Sequence, residues 1–484
     1  MIIKAGVLMG VAGGALLQAT LAVAQPDLPD QNPTLWSEHT IDLSLAEAVA
    51  LGLRRNYSIR SLKLQRLRER FDLRVAQDQF NPQFKLRATH TFSRGSVDRS
   101  RVSELEPAVN VLGEYGTRLE LGWKQQLNAS RNTGERQSDG LDLAVIQPLL
   151  RGAGKDVTTA PLRQARLAEQ INRLNAKASV SQTLSEIITG YHGLLKAQNQ
   201  VTLATQALAR TVALLEVNTL LIASGRVAEF EKVQIEADIA SQELALEEAN
   251  NQLETSRLLL LKLLALDLNM IIHASGTLDV TRPEIDRAEA LKLAQTRQPQ
   301  FLATLLQSEV TSINLLIAQD QALWDLSWVA GVNQLREQGA QGGGRTWGSY
   351  TGLKLEIPIA DMTLRQGKVN AQTQVEQQAL IQQEARTDLE RQITDSVRGL
   401  STQWRQLEIS QRLMDLSRRK LAIETDKLNV GRSSNFQIIS FEADLRAAED
   451  ANLNARISYL DARAQRDLLL GVLLEKWDIS LEDF

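Results

Sequence analysis

Four histidines, His39, His90, His192 and His273, are the obvious candidates for metal or proton chemistry in this 484-residue chain. A metal site on a helix needs donors that converge, typically at i and i+4. None of the four stands in such a pair, so no metal site is expected. The chain has no cysteine. That excludes disulfides, thiolate metal sites, a cysteine nucleophile and lipid attachment at an N-terminal cysteine. The segment "GAGKD" (152–156) approaches the phosphate loop GxxxxGK[ST], but Leu149 stands where the first glycine belongs and Asp156 where Ser or Thr belongs. It reads instead as a turn leaving a strand. No catalytic constellation is present, and the expectation is a protein that is not an enzyme and holds no cofactor.

The residues that invite a different explanation are two short segments, "ASGRVAEF" (223–230) and "NVGRSSNF" (429–436), an echo at an offset of 206 residues. Each interrupts sequence that otherwise reads as helix. Gly225 and Gly431 can adopt the left-handed conformation of a helix C-cap and reverse the chain between antiparallel helices. Their neighbours Arg226, Val227, Arg432 and Ser433 would then lie at the exposed ends of two helical hairpins.

Those turns need long helices to carry them. The windows 162–282 and 359–484 contain no proline and are rich in Ala, Leu, Gln, Glu and Arg, all good helix formers. In the second window Ile393, Val397, Leu400, Trp404, Leu407, Met414, Leu421 and Leu428 keep a 3–4 rhythm, with Gln411, Arg418 and Thr425 in the skipped positions. The rhythm continues past the glycine through Ile438, Phe441, Leu445, Ala448, Ala455, Tyr459 and Ala462, and the first window repeats it through Ile235, Ile239, Leu246, Ala249, Leu253 and Leu260. This is a left-handed coiled-coil seam. A helix from about 362 to 428 would be roughly 100 Å long, a rod rather than a globule. Aromatics at 4% suit helical seams filled by Leu and Ala.

Before each helical window the period changes to two. Runs at 84–92, 117–127, 141–148 and 347–359 alternate apolar with polar residues, and 325–332 does so more weakly. Such strands suit either a soluble antiparallel sheet or a membrane barrel with its apolar face toward lipid. Trp123, Trp324, Trp328, Trp347 and Tyr350 near strand ends suit an interfacial girdle or a core. The first set holds three runs, where a chain that returns to its starting side needs an even number. Either one run is an excursion or two belong to one interrupted strand.

The N-terminus reads as an address. A short positive start, the apolar stretch "AGVLMGVAGGALL" and Ala22-Val23-Ala24 predict a secretory signal peptide, 1–24, with a single anchor helix as the alternative. An extended segment, 25–40, follows. No other segment approaches ~20 consecutive apolar residues, so a membrane-inserted chain would have to be a barrel. The net charge of −4 gives no reason to expect a nucleic-acid partner.

The two halves align. Besides the glycine turns, Phe230 matches Phe436, Glu236-Ala237-Asp238 matches Glu442-Ala443-Asp444, and Ala46-Glu47-Ala48 matches Ala288-Glu289-Ala290. The reading is two structural repeats. The first, 41–282, holds a helix, strands within 82–148 and long helices within 156–268. The second, 283–484, holds a helix, strands within 325–359 and long helices within 361–476. The first copy carries about thirty extra residues in 93–140, by the shift in offset.

This order resembles the TolC-like outer-membrane efflux protein family over roughly 40–480. The matching features are "LSLAEAVALGLRRN" (43–56), "LAVIQPLLRGAG" (143–154) and the two tip segments. The resemblance implies a mainly α fold with a β-barrel part: a homotrimer whose strands share one twelve-stranded transmembrane barrel in outer-membrane lipid and whose coiled-coil helices form a periplasmic α-barrel. It implies an exit duct for a tripartite efflux or type I secretion system, working with a periplasmic adaptor and an inner-membrane pump. The adaptor would dock at Gly225, Arg226, Val227, Gly431, Arg432 and Ser433. The family's acidic gate positions fall here on Glu231, Gln437 and Ser440, of which only Glu231 is acidic. The readings set against this one are a periplasmic coiled-coil adaptor and a secreted structural coiled coil. Neither calls for two hairpins alternating with amphipathic strands.

Overall fold

A computed structural model of the chain describes residues 41–95, 99–130, 134–225, 228–282, 286–339, 342–359, 361–430 and 432–480. The expected signal peptide and the extended segment after it lie outside the described residues. In chain order the elements are β1 (Ile41–Leu43), α1 (Leu45–Arg55), α2 (Tyr57–Asp78), β2 (Gln83–Arg94), β3 (Arg99–Leu112), β4 (Arg118–Ser130), β5 (Gly134–Pro148), α3 (Lys155–Thr158), α4 (Ala160–Ala223) and α5 (Phe230–Leu264). Then follow β6 (Ile272–Ala274), α6 (Arg287–Arg297), α7 (Pro299–Gln321), β7 (Asp325–Gly339), β8 (Gly342–Glu356), α8 (Met362–Asn429), α9 (Asn435–Leu469) and α10 (Leu473–Lys476).

The long helices stand where proline is absent. α8 runs for 68 residues and α4 for 64, or about 100 Å each at 1.5 Å per residue. α5 and α9 are 35 residues each and return only part of the way. A residue with positive φ closes each of them, Ala265 at 51° and Gly471 at 71°. Helix starts follow local chemistry: Ser44 and Glu47 form a reciprocal capping box at α1, and Asp361 caps α8 by accepting from Thr363 N–H.

The seam of α8 corrects one detail of the heptad reading. Ile393, Leu400, Leu407, Leu421 and Leu428 are buried, as the rhythm requires. The intervening buried positions, however, are Ser410, Ser417 and Glu424, not Gln411, Arg418 and Thr425. A 3.5-residue repeat is met equally by steps of three or four. The small serines let a neighbouring helix approach, while Arg418 reaches out to Glu449 at 3.2 Å.

A second core lies partway along the rod. Leu43, Ile187, Tyr191, Leu194, Leu260, Leu261 and Leu264 pack together, and the Tyr191 hydroxyl donates to the Leu43 carbonyl. β1 pairs in parallel with β6 over three residues. Two helices, Ala160–Ala223 and Pro299–Gln321, contain windows long and apolar enough to cross a membrane by length and composition. In the fold the two run side by side, and both contact further helices of the rod.

The remaining strands form one antiparallel sheet of order β2-β3-β4-β5-β7-β8. This settles the odd count of alternating runs: the first set holds four strands, not three. The unrecognised strand is β3, "RSRVSELEPAVNVL". Its alternation is irregular and it contains Pro107. The β3–β4 register passes over Glu106 and Pro107, where proline has no N–H to give. Among the described residues this sheet therefore has six strands, where a twelve-stranded barrel shared by three chains would need only four from each.

Candidate functional site

The faces of the sheet and the far end of the rod are open to something outside the chain.

Residues paired across antiparallel strands share a face, so the registers divide the sheet cleanly. One row reads Phe84, Val109, Leu121, Leu143, Val332 and Ser349 across all six strands. Leu119, Val145, Ala330 and Leu353 flank it on the same face. These apolar side chains are uncovered; Phe84 is 80% exposed and Leu353 69%. Trp123 and Trp347 fall in one row, through Leu141 and Gln334, while Trp328 pairs with Leu353 six residues lower on β7. The two aromatic rows are therefore about 20 Å apart along the strand. The opposite face carries Lys85, Arg87, Glu104, Glu106, Lys124 and Lys354, with cross-strand ion pairs Arg87–Glu106 and Lys124–Glu104 at 3.0 Å each. Tyr350 is a correction to the girdle expectation. It lies on this polar face, with its ring over Gly331 where any Cβ would collide. Trp324 precedes β7 and accepts a backbone hydrogen bond from Arg151.

The sheet is clamped to the rod at its base. Gly152 N–H donates to the Asp320 carboxylate at the end of α7, 3.0 Å to each oxygen, and Arg151 pairs with Asp325 at 3.0 Å. "GAG" is thus a turn that leads into α3, with Gly152 and Gly154 at positive φ and Lys155 paired to Glu114 at 2.8 Å. The histidines are dispersed. His192 Nδ1 lies 2.7 Å from Asp461, His273 lies 3.2 Å from Asp42, and His90 lies 2.7 Å from Ser103. His39 is outside the described residues, and among those described no cluster of possible metal ligands forms.

At the far end, Gly225 has φ +70° and its N–H bonds to the Ile222 carbonyl, so it reverses the chain as its position predicts. Arg226, Val227 and Gly431 lie outside the described residues. Arg432 N–H bonds to Lys427 O at 2.8 Å, and the Ser433 hydroxyl donates to Glu424 at 2.7 Å. Glu231 does not stand alone: its carboxylate accepts from the Asn435 side-chain amide. Asn435 also exchanges hydrogen bonds with Asn218 of α4, which donates to it at 2.8 Å. Both asparagines are buried, at 1% and 0% exposure. Gln437 is half-buried near the start of α9, and Ser440 is exposed one turn on.

Above this cluster lies a layer of charge that sequence reading missed. Arg210 on α4 bonds Glu442 at 2.9 Å, Arg418 on α8 reaches Glu449 at 3.2 Å, and Arg446 approaches Asp238 on α5 at 3.9 Å. Arg210, Arg418, Glu442 and Glu449 line a groove of about 720 Å³ together with Leu214, Leu421 and Ile438. The readable signal for the asparagines was polarity at seam positions: Thr211 and Asn218 are seven apart in α4 and both buried. For the charges no such signal existed, because α9 buries two faces at once, one against α8 and one against α4.

Burial pushes the Glu442 carboxyl up from its ordinary 4.5; Arg210 and Arg446 pull it back, and Glu449 opposes them. Because the folded value is the higher one, ionising Glu442 costs stability at neutral pH. That cost fades as pH falls through the raised value and is gone below the ordinary one. Acidification from neutral pH to the ordinary carboxylate value should therefore raise the melting temperature of the native protein relative to Glu442→Gln. Parallel pH profiles for the two would contradict this account.

No protein-family pattern matches the chain, and no curated protein matches it by sequence. Solved structures do match. The CmeC outer membrane channel of Campylobacter jejuni superposes with a TM-score of 0.68 at 14% identity, covering 91% of this chain and 90% of that one. The outer membrane protein VceC of Vibrio cholerae gives 0.68 at 14%, covering 88% and 96%. The open state of the MtrE outer membrane channel of Neisseria gonorrhoeae gives 0.67 at 15%, covering 92% and 95%. The chain has the TolC-like outer-membrane channel fold. Gly225, just past the end of α4, lies at the end of the rod opposite the sheet. Helix faces are left open as well: Leu64, Leu67, Phe71 and Val75 form an exposed stripe on α2, and Leu380, Ile409, Leu413, Leu416 and Ile423 are exposed on α8.

Proposed function

We propose that the protein is an outer-membrane exit duct, a member of the TolC-like efflux proteins. It would work as a homotrimer that passes cargo outward from a periplasmic adaptor and an inner-membrane pump, with no energy source of its own. The observation that carries this is the pairing of a six-stranded sheet, one face apolar and uncovered, with rods of about 100 Å. The sheet face suits lipid and its polar face suits a water-filled lumen. The exposed apolar stripes on α2 and α8 suit burial against further copies, because contiguous exposed apolar surface favours association. The two halves of the chain would be repeats of one unit, each with a glycine turn between its two long helices. Those turns, with Gly225, Arg226, Val227, Gly431, Arg432 and Ser433, would be the adaptor's docking edge. Glu231 would face the periplasmic mouth, supported by Asn435, with Gln437 and Ser440 replacing the acids of a charged gate. A signal peptide would deliver the chain to the envelope.

Membrane fractionation tests the reading. A trimer recovered from the outer membrane and dissociated by heat is the expected result; a soluble monomer would overturn it.

A further inference from the structure

The hairpin β2–β3 leaves the sheet with one strand pair more than a twelve-stranded trimeric barrel can take. We infer that this hairpin is part of the barrel wall and that three copies close an eighteen-stranded barrel, six strands from each chain, with β2 of one copy paired to β8 of the next. The inference rests on the trimeric duct reading.

Three observations support placing the hairpin in the wall. First, it continues the sheet in one register: β2 pairs with β3 over twelve positions, and β3 with β4 over eleven, passing over only Glu106 and Pro107. Second, it continues both faces. Phe84, Leu86 and Ala88 on β2 and Leu105, Val109 and Val111 on β3 lie on the same face as Leu121, Leu143 and Leu353. Lys85, Arg87, Glu104 and Glu106 lie on the polar face, where Glu104 pairs with Lys124 of β4. A hairpin folded over the mouth or laid outside the ring would have no use for an apolar band in register with its neighbours. Third, β2 and β8 are the two free edges. In hydrocarbon every edge N–H and C=O must be paired, so the sheet must close. Closure within one chain would make a six-stranded barrel, narrower than the roughly eight strands at which side chains already fill the interior. The edges must therefore meet on different copies. β2 leaves α2 and β8 enters α8, so the two run in opposite directions relative to the rod, and the joint is antiparallel like the other five.

Barrel diameter grows roughly linearly with strand number, so the exit would be about 1.5 times as wide as a twelve-stranded one, in the range where barrels hold an open aqueous channel. The outer end of the duct would then admit bulkier solutes than twelve strands allow, with the narrow point left to the rod.

The hairpin can be cut at its base, because Gln83 pairs with Asn110 and the chain ends left behind are neighbours. Deleting 83–112 and joining Pro82 to Gly113 through two glycines keeps the Glu114–Lys155 contact. In planar bilayers, the largest polyethylene glycol that enters from the outer side should have a hydrodynamic radius about 1.5-fold greater for the full chain than for the deletion. Equal cut-offs from two trimers would overturn the inference alone. A full-length chain that never trimerises would overturn the duct reading and this inference with it. Cross-linking of the full chain decides the matter even if the deletion does not fold, since there is no native cysteine to interfere. Ala88→Cys combined in turn with Ser349→Cys, Thr351→Cys or Leu353→Cys should yield covalent trimers for at least one pair. Disulfides that form instead between Gln125→Cys on β4 and the same β8 positions would place β2–β3 outside the ring.

Discussion

Asn435→Ala should loosen the end of the rod by about 2 kcal/mol, roughly thirtyfold in the equilibrium for opening it. Asn435 is the point where three helices meet. Its side chain bonds Asn218 at the end of α4 and Glu231 at the start of α5, while its backbone begins α9. Truncation leaves the Asn218 amide, which is fully buried, with only its bond to the Leu214 carbonyl. It also leaves the Glu231 carboxylate without its donor, although water recovers part of that loss because Glu231 is only half-buried. Asn435→Asp should be worse than alanine, since it sets a second carboxylate against Glu231. The rate of tryptic cleavage after Arg226, Lys232 and Arg432 measures opening. The order expected is Asn435→Asp fastest, then Asn435→Ala, then the native chain. Equal rates in all three would show that the cluster does not hold the two turns together. If the turns bound the mouth of a duct, the same variants should raise single-channel conductance.

Gly471→Ala should be more damaging than its small change in volume suggests, and its counterpart supplies the control. Gly471 follows α9 at φ +71°, with Val472 N–H bonded back to the Asp467 carbonyl. A Cβ there would lie 2.4 Å from the Arg297 carbonyl oxygen and 3.0 Å from Gln298 Cα. Both are backbone atoms, so no rotamer relieves the clash, and the turn between α6 and α7 must move. The left-handed conformation alone costs an alanine about 1–2 kcal/mol; displacing packed backbone brings the total to about 3 kcal/mol or more. Ala265, at the end of α5, already holds the same conformation at φ 51°. Ala265→Gly should relieve that strain and, after the entropy of a freer unfolded chain, stabilise by at most about 1 kcal/mol. Thermal melting of the helical signal distinguishes the two effects. A Gly471→Ala protein with native stability would mean that the α6–α7 connection yields easily.

Much of this architecture is legible in the sequence because its signals are local. Absence of proline and a 3.5-residue rhythm predict α4, α5, α8 and α9, and strict alternation predicts β2, β4, β5 and β8. Gly225 announces its own turn, since a left-handed residue is needed wherever two long helices reverse. Even the failure to see β3 has a local cause: Pro107 and a shift of apolar phase hide a strand whose ladder simply passes over the proline.

What the tertiary structure decided are the features that depend on a second surface. Period two says that a strand has two faces, but only the registers show that six strands align their apolar residues into one band and that Tyr350 belongs to the other side. A heptad says that a helix has a seam, but Ser410, Ser417 and Glu424 could be chosen over Gln411, Arg418 and Thr425 only by the helices packed against them. Glu442 and Glu236 occupy equivalent places in the two matching segments. Yet Glu442 is buried against Arg210 while Glu236 stays exposed beside Lys232, because α4, a helix of the other hairpin, covers Glu442 and no described helix covers the face of α5 that carries Glu236. Period and propensity are properties of neighbours along the chain; burial, charge pairing and the free edges at β2 and β8 are properties of neighbours in space.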